Sequence, residues 1–128
     1  MTAPRLQRLD HVSLNVADRA RSIAWYCEML GLAPGDEPEQ DDEPVFLGEP
    51  GACIALFQAQ AHSPARERES TGLRHVALAV ATAAELDAAE AHLRERGVAF
   101  RPEHHGNARS VYLSDPDGNA VELTTYDV

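Results

Sequence analysis

Leu73 to Val80 reads LRHVALAV, and it repeats LDHVSLNV, Leu9 to Val16, at five of eight positions. Each copy is a short run in which apolar residues alternate with small or polar ones, with a histidine in third place. A period of two is the mark of a half-buried strand, one face on a core and the other free for solvent or a site. Each copy is followed at the same distance by a residue suited to start a helix, Asp18 after the first and Thr82 after the second. A chain that repeats strand, spacing and helix start is expected to be built twice.

Working outward from the first copy, Val12, Leu14 and Val16 form an apolar face, and His11, Ser13 and Asn15 form the other. Asp18 is an N-cap type, and Ile23, Tyr26, Cys27 and Leu30 then recur at helical spacing until Gly31 supplies a stop. Residues 33–44, APGDEPEQDDEP, are acidic and proline-rich and read as a solvated loop with room for one short edge strand. Val45–Leu47 and Cys53–Phe57, separated by GEPG, read as a β-hairpin. The first half is therefore β-α-β-β.

Residues 59–72, AQAHSPARERESTG, are polar and read as the linker between halves, with His62 solvated. In the second half Thr82 and Glu85 have capping-box spacing, Leu86, Ala89 and Leu93 form an apolar stripe ended by Gly97, and His92 lies off that stripe at the surface. Val98–Phe100 reads as a strand and Arg101–Asn107, RPEHHGN, as a turn. Ser110–Ser114 and Ala120–Thr124 read as strands about the tight turn DPDGN, Asp115–Asn119, with Glu122 and Thr124 sharing a face. The second half is β-α-β-β-β. The expected class is α+β, one domain over 1–128, with module one at about 8–58, the linker at 59–72 and module two at about 73–126.

Composition narrows the function. With 128 residues, 44% hydrophobic and 25% charged, the chain has ordinary globular composition and length enough for one aliphatic core. The net charge of -10 argues against a nucleic-acid partner, which needs a basic face, and against an anionic membrane surface. No apolar run approaches the roughly 20 residues of a spanning helix. The opening MTAPRLQRLD has no apolar signal region, so a cytoplasmic location is expected. Cys27 and Cys53 have no metal-ligand spacing and read as packed, reduced thiols.

If both halves share one pleat, the apolar faces lie under the helices and His11, His75 and Glu122 look into a shared concavity. Two imidazoles and one carboxylate suit a divalent first-row metal and leave coordination positions open for substrate. Ser13, Ser110 and Thr124 share the inward face as candidate substrate contacts.

These stretches, with the MLGL segment at Met29–Leu32 and SVYLSDPDGNAVELTTY at Ser110–Tyr126, resemble the vicinal oxygen chelate superfamily of glyoxalases, bleomycin-resistance proteins, fosfomycin-resistance transferases and extradiol dioxygenases. The resemblance covers nearly the whole chain. It implies two tandem βαβββ modules whose mixed sheet curls into a cup around one metal, with the helices outside. His11, His75 and Glu122 match the family's metal-ligand positions, while the fourth such position falls at Ala55, which has no donor. Four-ligand lactoylglutathione lyase activity is thereby disfavoured unless Gln58 or Gln60 shifts into the place. The fosfomycin transferases use an arginine on a tail beyond the last strand, and the sequence given ends at Val128.

Tyr112, ten positions before Glu122 in a YxxDPxGNxxE context, and His105 of the His105–Gly106 pair resemble dioxygenase site residues, which implies roles in catalysis. The reading is a metal-dependent enzyme, most like a dioxygenase, that takes a small-molecule substrate with vicinal oxygens. Fe(II) or Mn(II) is favoured, with Zn, Ni or Co also compatible. The alternatives are a metal-free binding protein of the bleomycin-resistance type, which Ala55 favours, a glyoxalase-type lyase, and a non-catalytic partner protein. Exposed sheet edges and small size favour a homodimer, with the cup formed within one chain or between two.

Overall fold

A computed structural model describes residues 2–60, 67 and 69–128. His62 and most of the linker lie outside the described residues. The order is β1 (Val12–Val16), α1 (Arg19–Leu30), β2 (Val45–Glu49), β3 (Ala52–Gln58), β4 (Val76–Ala79), α2 (Ala83–Glu95), β5 (Arg101–His104), β6 (Arg109–Ser114) and β7 (Ala120–Thr125). The strands form two mixed sheets, ordered β1-β3-β2 and β4-β7-β6-β5. In each, the first strand runs parallel to the last and the remaining pairs are antiparallel. The repeat read from the two histidine strands is thus a repeat of topology. In the first sheet the counterpart of β5 is reduced to one antiparallel bridge, Pro34 to Leu47. Proline supplies no N–H to a ladder, and a loop rich in carboxylates repels itself, so the segment stops there.

The helices form where their caps dictate. Asp18 accepts the N–H of Arg21 (3.1 Å), and Gly31 closes α1 in the left-handed region at φ 68°, where a Cβ is disfavoured. Thr82 and Glu85 make the reciprocal capping box at the start of α2. Each helix then covers the apolar face of its own sheet. Tyr26 lies over β1 to β3, and Leu86 and Leu93 lie over β4 to β7, in one hydrophobic cluster that includes Leu14, Val16, Ile54, Leu56, Val111, Val121 and Leu123. Each fully buried Leu or Ile contributes on the order of 1.5–3 kcal/mol from apolar area.

The DPDGN turn does more than reverse the chain. Asp115 accepts the N–H groups of Asp117 (2.9 Å) and Asn119 (2.8 Å), and its other oxygen takes the buried hydroxyl of Tyr26 at 2.6 Å. Asp117 accepts the N–H of Ala17 just before α1. The turn of module two therefore fastens onto the helix of module one. His92, expected at the surface, is half-buried and bonds the carbonyl of Glu28 at 2.7 Å, joining α2 to α1.

One boundary is corrected. The strand expected at Val98–Phe100 lies instead at Arg101–His104, inside the stretch read as a turn. Pro102 is tolerated because β5 is the outer strand of its sheet and pairs only with β6. No described helix is long and apolar enough to cross a membrane.

Candidate functional site

Directly paired residues of neighbouring strands share a face. Register across the second sheet sets Ala77, Glu122, Tyr112 and Arg101 in one row, and Ala79, Thr124, Ser110 and Glu103 in the next. This face looks away from α2, and His75 lies one residue ahead of β4 on the same alternation.

Glu122 is only 9% exposed, and a buried carboxylate needs partners. Ser110 Oγ donates to Glu122 Oε2 at 2.8 Å and lies 3.0 Å from Thr124 Oγ1, whose hydroxyl donates to the carbonyl of Arg109. The opposite oxygen, Oε1, stands 3.2 Å from His75 Nε2. Tyr112 is the cross-strand partner of Glu122, and its ring meets His75 edge-on with centroids 6.0 Å apart. Burial first, then the neighbouring Glu122 carboxylate and the charge of Glu103, push the phenol above its ordinary value, with Arg101 opposing. Tyr112 is accordingly a protonated donor at neutral pH.

A second cluster runs along β5. Arg101, Glu103 and His105 alternate onto the same face; Glu103 pairs with Arg101 through one oxygen and with His105 Nε2 through the other, at 3.1 Å. The Arg101 guanidinium lies over the Tyr112 ring, 5.1 Å from its centroid, and the His105 ring meets Tyr112 edge-on at 6.5 Å. The structure thus brings together His75, Glu122, Tyr112, His105, Ser110 and Thr124 of the residues named from the sequence.

His11 and Ser13 lie apart from them. Among the described residues no three His, Cys, Asp or Glu side chains gather as a metal cage. His11 Nδ1 is held by Asp10 at 2.7 Å, which leaves Nε2 free, and the ring sits edge-on to Phe46 at 5.2 Å. A carboxylate on one ring nitrogen is how proteins orient a ligating imidazole. In the first sheet the row matching Ala77–Glu122–Tyr112 is Ser13–Ala55–Phe46. Module one therefore repeats the geometry with an apolar wall in place of the acid and the phenol. Gln58 is committed elsewhere: it accepts the N–H of Arg19 at 3.0 Å and donates to the carbonyl of Ala17 at 2.7 Å, capping α1.

Sequence reading missed Asp10, Phe46, Arg101 and Glu103. Asp10 was visible as the neighbour of His11, and Arg101 and Glu103 were hidden by the reading of their strand as a turn. Both cysteines are free, and burial raises each thiol, Cys53 further through Asp10 and Glu49, so neither is activated as a nucleophile.

Two βα modules of matched topology carry histidines at equivalent places, with an acid and a phenol on the sheet face of only one of them. The chain belongs to the Glyoxalase/Bleomycin resistance protein/Dioxygenase superfamily, whose sequence profile matches residues 8–123. It is 31% identical over 117 residues to catechol-2,3-dioxygenase of Bacillus subtilis (strain 168), covering 90% of this chain and 40% of that protein, so it spans about two-fifths of that relative. It is 32% identical over 124 residues to lactoylglutathione lyase of Shigella flexneri, covering 91% of this chain and 90% of that one. Among solved structures, the glyoxylase/bleomycin resistance protein/dioxygenase domain from Frankia sp. EAN1pec superposes with a TM-score of 0.83 at 26% identity, over 94% of this chain and 93% of that one.

Proposed function

We propose that the chain is a metal-dependent enzyme of this superfamily, most like its dioxygenase members, acting on a small molecule with two adjacent oxygens. The observation that carries the reading is the 3.2 Å separation of His75 Nε2 and Glu122 Oε1, with the far oxygen of Glu122 anchored by Ser110. Two ligands at bonds of about 2.0–2.2 Å stand roughly 3.0–3.4 Å apart, so the pair fits one edge of a coordination shell. The third donor is His11, whose Nε2 is left free by Asp10, supplied by a second copy of the chain whose β1 edge lies beside β4. When bound, a divalent ion such as Fe(II) or Mn(II) supplies Lewis acidity to the substrate oxygens.

The chain's own residues do the rest. Tyr112 holds a phenol proton for a substrate oxygen, His105 faces the same space from the turn after β5, and Ser13 is a further substrate contact. Ser110 and Thr124 serve the substrate through Glu122, which they orient.

The test is metal content of protein prepared without a chelating tag and reloaded with Fe(II) or Mn(II). Close to one ion per chain is expected, with loss of stoichiometric retention in His75→Ala and Glu122→Gln. Ser110→Ala is expected to weaken affinity by about 10-fold, the usual effect of removing a partner of a ligand. Absence of ion in the unaltered protein sinks the reading.

A second reading, metal-free binding of a small molecule in the manner of bleomycin-resistance proteins, is favoured by the apolar Ala55 and Phe46 wall. It predicts ligand binding that a chelator leaves intact.

A further inference from the structure

We infer that Arg101 forms a subsite for an anionic group, a carboxylate, on the substrate, at a place separate from the oxygens bound at His75 and Glu122; the inference rests on the cup reading above. An open cleft of about 440 Å3 meets the Glu122 row only at its outer end, at Arg101 and Tyr112, and is lined otherwise by residues such as Val98, Phe100, Leu113 and Ser114. Such a volume is of the size that small ligands occupy. Tyr112 belongs to both places, since it stands directly across from Glu122 on the neighbouring strand while its ring carries the Arg101 guanidinium. A ligand with two oxygens at Glu122 and a short side arm would lay that arm along Tyr112 toward Arg101.

The guanidinium is prepared for such a group. Stacking on Tyr112 fixes its plane, and among the described residues its single hydrogen bond is from Nη1 to Glu103. The Nε and Nη2 donors on its other side have no protein partner among the described residues. Those two N–H groups form a fork that matches the two oxygens of a carboxylate. Glu103 engages only the Nη1 side of the guanidinium, and its second oxygen pairs with His105 Nε2 at 3.1 Å. In a chain of net charge -10, the two rows that carry the cup's acids, Glu122 and Glu103, contain one arginine, at the end nearest the cleft. A cross-strand pair that merely secures the outer strand would stack Arg101 on Tyr112 as well, but would discriminate no ligand.

The experiment uses a near-isosteric pair, 3,4-dihydroxyphenylacetate and 4-ethylcatechol, in anaerobic calorimetry with the full chain, metal-free and loaded with Mn(II). The expected result is about 10-fold tighter binding of the carboxylate, the size of one charge-assisted contact. Arg101→Gln should bring the ratio to about one, Arg101→Lys should keep part of it, and Arg101→Glu should invert it. Equal binding of the two compounds by the unaltered protein, or a preference that survives in Arg101→Gln, overturns the subsite and leaves the metal reading standing. Discrimination that appears equally in metal-free protein upholds the subsite as a place apart from the metal, whose own test is the metal content described above. If neither compound binds under either condition, both fail.

Discussion

Ala55 and Glu122 stand at the same place in their two modules, each on the last strand, each opposite an aromatic residue, Phe46 or Tyr112. The acid and the phenol stand in one module, and apolar residues hold the matching places of the same topology in the other. A second residue-scale contrast lies at Tyr26, a fully buried phenol donating to the buried Asp115. Tyr26→Phe leaves that carboxylate short of a donor and is expected to destabilise the fold by about 1.5–3 kcal/mol, read by urea unfolding. It also has a pH signature. Burial, followed by the bond to Asp115, raises the folded phenol far above its ordinary value. The native state therefore keeps a proton that the unfolded state releases above about pH 10. The stability is complete below that pH and falls as pH rises past it, by at most about 1.4 kcal/mol per pH unit. Tyr26→Phe should remove this share of the alkaline loss, so its stability curve should cross pH 10 with a shallower slope. An unchanged slope would show that the phenol ionises as freely in the fold as outside it.

At the scale of elements, the helices and the two histidine strands were legible because their signals are local: Asp18 and Gly31 bracket α1, and Thr82 with Glu85 opens α2. Thr82→Ala removes one side of that box and should cost about 1 kcal/mol, while Thr82→Ser should retain most of it, both measurable by thermal unfolding. The strand β5 was not legible, and the reason is physical. Pro102 and the charged run around it lack the apolar alternation of a half-buried strand, since β5 turns polar residues toward the cup and pairs on one side only. Arg101 and Glu103 went unread as site residues for that reason, although the spacing of Arg101, Glu103 and His105 already puts them on one face of any strand. Asp117 and Tyr26 were likewise hidden, because a contact between a turn and a helix 89 residues apart, as at Tyr26 and Asp115, has no local signature.

At the scale of the molecule, the two modules meet through Tyr26, Asp115 and the helices, and the strands that carry the histidines, β1 and β4, lie at outer edges of separate sheets. The sequence paired His11 with His75 by symmetry, but symmetry does not say whether the pair closes within a chain. Exposed strand edges are templates for pairing, and in the proposed dimer β1 of one copy lies beside β4 of the other, covering both edges and bringing His11 to His75 and Glu122. That arrangement makes a prediction that a within-chain cup does not share. His11→Ala and His75→Ala each destroy the site alone. When the two variants are refolded together as a shared-site dimer, every mixed pair has one damaged site and one that takes His11 from the His75→Ala chain and His75 from the His11→Ala chain. Random assortment then restores about a quarter of the original metal sites, counted as tightly held ion per chain. A cup closed within one chain restores none, because each chain carries its own defect.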